Sequence, residues 1–481
     1  MRYWQLVLVA GLIAGCAVKG PDFSKPDPDV PAHWNSQDSQ ASLDAVSLPE
    51  MDWWKKFGDP QLPVWIDQAL DRNNNIQAAV GSVYKSRAIL QQIQMNWIPT
   101  VNAGAGFTAM EHQDNATTGA SLGFPGAFTT GFIPNYSINI LQQLRNQEQA
   151  EANVAATTAA RHAIRLAIIG QVAGSYLTLR EEQYRLSLQK GLVETLDAIV
   201  AKYSDAHREG LISLFTLQQY TIELNRARAE IPVIEYNIVR LGNVIHALLN
   251  ENPGTLPDSI PFTSLESHSI ISGNIPSEVL KNRPDILQAE ETLRQANANI
   301  GVNTSFFFPT IKLTTPFGLS SSSLGNILSQ GKSYWEYQGG VGMPIINLGA
   351  FGAIKAAKGQ YYTDYYNYLE TVRNAFAAVD SALASHQKYS ESLDKLDTFY
   401  DITQKRYDNQ SIRYREGLVS FPDVLAQRYA LYQAAILQAQ AKLSQLLSIV
   451  RLYQDMGGGY RYRDQDAPHD LGDGHRFGDL F

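Results

Sequence analysis

Only one of the 481 residues is cysteine, Cys16, so the chain can form no disulfide within itself. No run of about twenty apolar residues occurs, which excludes a transmembrane helix and with it an inner-membrane pump. The chain lacks a phosphate-binding glycine loop, a nucleophile elbow and any clustered set of His, Cys and Asp. The usual signatures of catalysis, of a metal centre and of a bound cofactor are therefore missing, and the chain reads as a non-enzyme. His162, His207, His246, His268 and His386 are scattered without metal-ligand spacing. With 39 basic against 47 acidic side chains the net charge is −8, the wrong sign for a nucleic-acid partner. Proline is absent between Pro134 and Pro232 and again between Pro344 and Pro422, which leaves room for very long helices.

What is present is one pattern written twice. Asn75-Ile76-Gln77-Ala78-Ala79 aligns with Asp285-Ile286-Leu287-Gln288-Ala289 at an offset of 210, and the same offset lays Pro99-Thr100-Val101 on Pro309-Thr310-Ile311. Further on, Arg208-Glu209-Gly210-Leu211-Ile212-Ser213 falls on Arg415-Glu416-Gly417-Leu418-Val419-Ser420 at an offset of 207. Two copies of one unit predict a pseudosymmetric object.

Each copy holds two runs of period two. In the first, Val101, Ala103, Ala105, Phe107 and Ala109 alternate with Thr100, Asn102, Gly104, Gly106 and Thr108, followed by Tyr136, Ile138 and Ile140 against Asn135, Ser137 and Asn139. In the second, Ile311, Leu313, Phe317 and Leu319 alternate with Lys312, Thr314, Gly318 and Ser320, followed by Trp335, Tyr337, Val341 and Met343 against Glu336, Gln338, Gly340 and Gly342. Runs of about ten residues with one apolar face are the signature of membrane β-hairpins. Four strands cannot close a barrel, and an open edge in lipid leaves backbone groups unpaired, so the chain must complete its barrel with further copies. The pattern alone does not choose between two copies and three.

The proline-free stretches predict helix. Arg145 to about His207 carries apolar residues at helical spacing, such as Ile164, Ile168, Val172, Tyr176 and Leu179, and about 63 residues at 1.5 Å each reach roughly 95 Å. A returning helix over about Leu214 to Asn250 and a leading helix over Asn75 to Trp97 together match that length. The reversals fall at Gly210-Leu211 and Gly417-Leu418, where glycine supplies a left-handed turn. A kink is expected at Pro232. Each repeat thus predicts one long helix paired with two shorter ones, a helical tube continuous with a β-barrel.

The N-terminus gives an address. Arg2 precedes an apolar run from Leu6 to Ala14 that ends in Ile13-Ala14-Gly15-Cys16. This reads as a secretory signal with a bacterial lipobox, in which cleavage leaves Cys16 as a lipidated N-terminus. Ala17 rather than Asp favours passage to the outer membrane, and one acyl anchor is auxiliary beside a barrel. Elsewhere, Tyr361, Tyr365 and Tyr368 share a helical face, as do Tyr362 and Tyr366, and read as helix packing. Trp97 and Phe307 precede equivalent strands and suit the lipid headgroup level. The tail with His469, Asp473 and His475 reads first as a disordered end.

Several pieces taken together resemble the TolC-like outer membrane factors, in the lipoprotein branch that serves RND-type multidrug efflux systems. They are Asp52-Trp53-Trp54 with Phe57-Gly58-Asp59-Pro60 and Leu62; Ile231-Pro232 with Glu235; Arg283-Pro284-Asp285-Ile286 with Ala289-Glu290; Ala296, Ala298, Ile300-Gly301, Phe307-Phe308-Pro309 and Leu313; and Gly457-Gly458-Gly459-Tyr460. The resemblance implies an α+β membrane protein, a homotrimer in which four strands per chain contribute to a shared twelve-stranded barrel above a long α-helical periplasmic barrel. It implies a signal peptide at 1–15, a lipidated N-terminus and equatorial segment at 16–74, repeat 1 at 75–250, an equatorial linker at 251–284, repeat 2 at 285–455 and a tail at 456–481. The β-hairpins would span about 98–140 and 308–346, with helical tips near 210 and 417.

The function it implies is a passive duct in the cell outer membrane, lipid-anchored and extending into the periplasm. It would export drugs or other small toxic compounds when docked to a periplasmic adaptor (a membrane fusion protein) and an inner-membrane RND-type transporter. The alternative is an exit duct for type I protein secretion or metal efflux. Gly210, Leu211, Gly417 and Leu418 would be the adaptor-docking tips. Asp423 matches an inward-pointing aspartate that trimerisation turns into an acidic ring, and Tyr414 matches a tyrosine that helps hold the tips shut, although the arginine that would accompany it is not at Val419. The lesser alternative for Asp423 is a cap on the returning helix after Ser420 and Pro422, since acidic residues are common in first turns.

Overall fold

The computed structural model describes residues 21–29, 34, 48–108, 127–257, 259–266 and 281–464. The signal segment 1–15, Cys16, residues 267–280 of the linker, His268 among them, and the tail with His469, Asp473 and His475 lie outside the described residues.

The duplication is visible in the element order. The first half runs through helix α1 (Gln61–Arg72), α2 (Asn74–Met95), strands β1 (Thr100–Thr108) and β2 (Ala127–Ile138), then α3 (Ile140–Arg208) and α4 (Leu214–Leu248). The second runs through α5 (Pro284–Thr304), β3 (Thr310–Thr314), β4 (Phe317–Ser321), a short helix α6 (Ile327–Gln330), β5 (Lys332–Trp335), β6 (Gln338–Gly342), α7 (Leu348–Arg415) and α8 (Phe421–Asp455). The long helices have 69 and 68 residues and the returning helices 35 each, so α3 and α7 are each about 100 Å long at 1.5 Å per residue. Helix α4 continues through Pro232.

The chain divides into two compact units. One comprises residues 84–157 and 289–368 with the N-terminal segment up to Pro26 and holds the sheet; the other comprises 27–83, 158–288 and 369–481 and is helical. In the sheet, β2 pairs with β1 on one side and with β3 and β4 on the other, β5 pairs with β4, and β6 with β3, all antiparallel. β3 and β4 keep one register against β2, and β5 and β6 keep one register against them. The pairing survives the interruption, because the Thr315 N–H donates to the Pro134 carbonyl (3.1 Å) and the Glu336 N–H to that of Pro316 (2.9 Å). Proline has no N–H to complete the ladder, so Pro134 and Pro316 divide two continuous passes into four short strands. The sheet is therefore four passes of chain, in the order the alternation predicts.

The helical unit has its core where separate motifs meet. Trp53, Trp54, Phe57, Leu62, Ile66, Tyr176 and Tyr453 are fully buried. Trp53 stacks flat on Tyr453 at 5.1 Å and donates its indole N–H to the Gly458 carbonyl (3.2 Å), and Trp54 meets Tyr462 edge-on at 5.0 Å. Buried Asp59 accepts from the Gln61 N–H (2.8 Å), the Ser259 hydroxyl (2.8 Å) and the Tyr176 hydroxyl. The segment that follows α8 is clasped by α3: Arg165 donates to the carbonyls of Tyr460 and Tyr462, both at 2.9 Å, while Arg161 and His162 bind Asp464. Burial would raise the Asp464 carboxyl, but His162, Arg165 and Arg161 outweigh it and hold the group below the ordinary carboxylate range.

Candidate channel wall, tips and anchor

Antiparallel pairing places directly opposed residues on one face. Val101, Pro134, Phe132, Phe317, Trp335, Leu313 and Val341 thereby share an apolar face, and Asn102, Thr129, Asn135, Lys312, Thr314 and Gln338 the polar one. The apolar side chains stand in the open: Val101 is 62% exposed, Trp335 77% and Val341 67%. Outward apolar residues without a protein partner belong in hydrocarbon. Both ends of the sheet are unpaired among the described residues, since β1 meets only β2, β5 only β4 and β6 only β3.

The two helix reversals have one geometry. Gly210 and Gly417 have φ of 76° and 75°. The Leu211 N–H reaches back to the Ala206 carbonyl (2.9 Å) and the Leu418 N–H to that of Arg413 (2.9 Å), while the glycine N–H groups bond His207 (3.0 Å) and Tyr414 (2.9 Å). This is the six-to-one plus five-to-two closure of a left-handed helix end, which costs little at glycine alone. It leaves Leu211 71% and Leu418 63% exposed, two apolar side chains presented at matched tips.

Around the tips the repeats differ. At the second, the Asp423 carboxylate accepts from the Ser420 N–H (3.1 Å) and hydroxyl (2.6 Å), and the Ser420 side chain in turn takes the Asp423 N–H, a reciprocal capping box. The cap seen from sequence is thus formed within one chain. Asp423 also lies close to the first hairpin: burial foremost, then Tyr220, then Asp423 raise the Tyr203 phenol. Tyr414 is 42% exposed and packs its ring on Phe421 at 5.4 Å. At the first tip, His207 occupies the place of Tyr414 and its ring nitrogen Nδ1 meets the Ile212 carbonyl at 3.1 Å. Between hairpins, the Tyr429 hydroxyl reaches Glu223 at 3.4 Å.

The described N-terminal segment lies along α5. Pro21 accepts from Asn297 (2.9 Å), Phe23 lies under the Arg294 guanidinium (5.0 Å), and Lys25 pairs with Glu290 (2.6 Å). As the chain is followed back from Lys25 to Pro21 its partners advance from Glu290 to Asn297, toward the end of α5 that leads into β3. Sequence reasoning missed this strap, for nothing in Asp22-Phe23-Ser24-Lys25 marks a partner some 270 residues away.

Other residues singled out by sequence fall into structural roles. Tyr368 is buried, while Tyr362 and Tyr366 are exposed and pair at 5.5 Å. Phe307 packs on Phe351 at 5.1 Å, and Trp97 is 38% exposed. His246 bridges Glu251 and the Gly254 carbonyl, both at 3.1 Å, and His386 meets Ser448 at 3.1 Å. No group of metal-ligating side chains assembles among the described residues. One residue carried no sequence signal: Glu181 is buried, and burial foremost, with Glu182 beside it, lifts its carboxyl to about 7.

Comparison with known proteins agrees with this geometry. The family model described as outer membrane efflux protein matches residues 65–251 and 275–458. The toluene efflux pump outer membrane protein TtgI of Pseudomonas putida is 27% identical over 476 residues, covering 96% of this chain and 99% of its own. The probable outer membrane lipoprotein SilC of Salmonella typhimurium is 26% identical, covering 93% and 97%. Among solved structures, the open state of the Neisseria gonorrhoeae MtrE outer membrane channel superposes with a TM-score of 0.80 at 25% identity, covering 92% of this chain and 99% of that one. The Campylobacter jejuni CmeC outer membrane channel gives 0.79 at 21% identity, covering 93% and 96%.

Proposed function

Because the chain belongs to the outer membrane efflux protein family, we propose that it is the outer membrane duct of a tripartite efflux system, a passive homotrimer that carries small toxic compounds outward. The observation that carries this reading is the sheet whose two edges are unpaired among the described residues and one face of which is largely apolar. Edge groups in hydrocarbon cost several kcal/mol each when unpaired, so β1 of one copy pairs with the β5 and β6 edge of the next, and three copies give twelve strands. The polar face then lines a water-filled lumen.

Gly210-Leu211 and Gly417-Leu418 dock a periplasmic adaptor, because they repeat one exposed apolar tip six times around a trimer. The adaptor couples the duct to an inner-membrane RND-type transporter, which supplies the energy. Asp423 contributes a three-fold acidic ring near the constriction while capping its own helix, and Tyr414 helps hold the tip closed through Phe421. Cys16 carries the lipid anchor: four residues lie between it and Pro21, and the strap heads toward the strand end of α5. The cargo is of the kind named for relatives such as the toluene efflux protein. Drug and solvent resistance in cells lacking this gene, and then lacking the adaptor or the pump, tests the reading. Equal hypersensitivity in all three strains is expected. Normal resistance with a retained secreted protein or metal ion would move the protein to type I secretion or metal efflux.

A further inference from the structure

The apolar face of the sheet is not uniform. Ala105, Thr130, Leu319 and Ser333 stand opposite one another across four passes and form a low row. On one side of that row Phe107 and Phe128 pair at 4.7 Å, and on the other Phe132 and Phe317 pair at 5.7 Å with Trp335 beyond them. Two aromatic walls about 14 Å apart, four residues at about 3.4 Å each, thus flank a floor of non-aromatic side chains. The depression has a volume of about 790 Å³ and continues into a second of about 400 Å³. The second is covered by Leu324, Ile327 and Leu328 of the turn around α6, with Ile327 buried and Leu328 83% exposed.

We propose that this trough is a binding site for one hydrocarbon chain of a membrane lipid, an inference that rests on the outer membrane duct reading. The size lies within the roughly 300–1,000 Å³ range of small-molecule sites. Among the described residues no charged group lines either cavity, and the polar side chains there are uncharged hydroxyls such as those of Thr130 and Ser333, so the trough reads a chain and not a headgroup. It lies on the face that the barrel turns to hydrocarbon, continuous with the lipid interface. Strands in such barrels tilt about 35–45°, so a row running across them is inclined to the membrane normal at an angle a lipid chain can follow. A second copy of the protein is the poorer occupant, since copies meet at the strand edges and not at this face.

Trimer reconstituted in phosphatidylethanolamine vesicles, exchanged into mild detergent and weighed by native mass spectrometry, tests the site. The wild type should keep one phosphatidylethanolamine per chain; Ala105→Phe, which fills the floor, should lower that occupancy about tenfold, while Val101→Phe, outside the trough on the same face, should not. Equal retention by Ala105→Phe and wild type, or none by wild type, would overturn the proposal. Higher assemblies that vanish with Ala105→Phe would overturn it in favour of a chain-to-chain contact. Wild-type conductance in planar bilayers is read separately, so a failure of the duct reading is distinguishable from a failure of the lipid site.

Discussion

The two helical hairpins follow one pattern but bury different chemistry. At the offset of 207 that aligns their tips, Glu181 of α3 corresponds to Lys388 of α7, and Leu179 to His386. In the first hairpin the carboxyl is buried, its Oε1 without a hydrogen-bond partner among the described residues, and Leu179 is core. In the second, Lys388 is exposed in an ion pair with Glu391 at 3.0 Å, and the core position holds an imidazole. The tips differ likewise, His207 bonding Ile212 where Tyr414 packs on Phe421. A duplicated backbone therefore fixes where the chain turns, while the side chains around each turn have diverged into two different mechanical elements.

The sharpest way to break this comparison is at the turns. Gly417→Val and Gly210→Val each force a β-branched residue into φ near 75°, a strain of about 1–2 kcal/mol. If that strain is relieved by opening the turn, adaptor affinity should fall about tenfold, with trimer assembly in the membrane retained. Binding titrations of both variants then show whether the tips are used equally. A loss confined to Gly417→Val would assign docking to the second hairpin alone, and unchanged binding in both would remove the docking assignment.

The next effect is electrostatic and belongs to the first hairpin. Glu181 has its carboxyl raised from 4.5 to about 7 by burial, so the folded state holds a proton that the unfolded state releases. Its cost is absent at pH 4, grows as pH rises from 4.5, and is complete above 7. Glu181→Gln should stabilise the protein by at most roughly 3 kcal/mol at pH 8 and leave it unchanged at pH 4. Thermal unfolding of the trimer at the two pH values measures it, and equal melting shifts at both would deny the buried charge.

What was legible in sequence is what a local period or a turn residue dictates. The alternation from Val101 to Phe107 can satisfy only a sheet with one apolar face, and β1 lies there. Glycine followed by leucine at the same place in both copies, Gly210-Leu211 and Gly417-Leu418, marks a helix end, and both tips lie there. The capping role of Asp423 was legible as well, because Ser followed three residues later by an acid is a local motif. Contacts between distant segments were not. A Cβ at Gly170 would collide with the Gln454 amide and one at Gly191 with the Tyr432 ring, so these two glycines let α8 pack against α3, yet inside a helix they read only as weak propensity. The strap on α5 and the burial of Glu181 share that cause: each is decided by residues far away in the chain. Pro134 and Pro316 were visible as letters, but that their carbonyls would carry the ladder past the missing N–H groups was not.

A smaller effect sits at the cap. Asp423→Asn keeps an acceptor for Ser420 but removes the charge, so stability should fall by no more than about 1 kcal/mol. Cation preference of the channel in planar bilayers should weaken if three copies line the pore. Thr216 stands at the matching place in the first hairpin and carries no charge, so Thr216→Asp should strengthen that preference. Unchanged selectivity in both variants would leave Asp423 as a cap and nothing more.

The smallest effect tests the second hairpin's imidazole against its aliphatic counterpart. Burial lowers the His386 pKa below 6.5, so the folded state disfavours the proton that the unfolded state takes up. Stability is full above pH 6.5 and is lost as pH falls from there toward the depressed folded value. His386→Leu copies the residue at 179 and should flatten the acid side of the stability curve. It gives up the contact with the Ser448 hydroxyl, which still donates to the Gln445 carbonyl at 2.6 Å. The two buried groups thus oppose each other, Glu181 penalising alkaline conditions and His386 acidic ones. A protein carrying both Glu181→Gln and His386→Leu should melt at a temperature nearly independent of pH between 5 and 8 as far as these sites contribute. Persistence of the wild-type slope in the double variant would place the pH response elsewhere, with Asp464, clasped by α3, the first group to examine below that range.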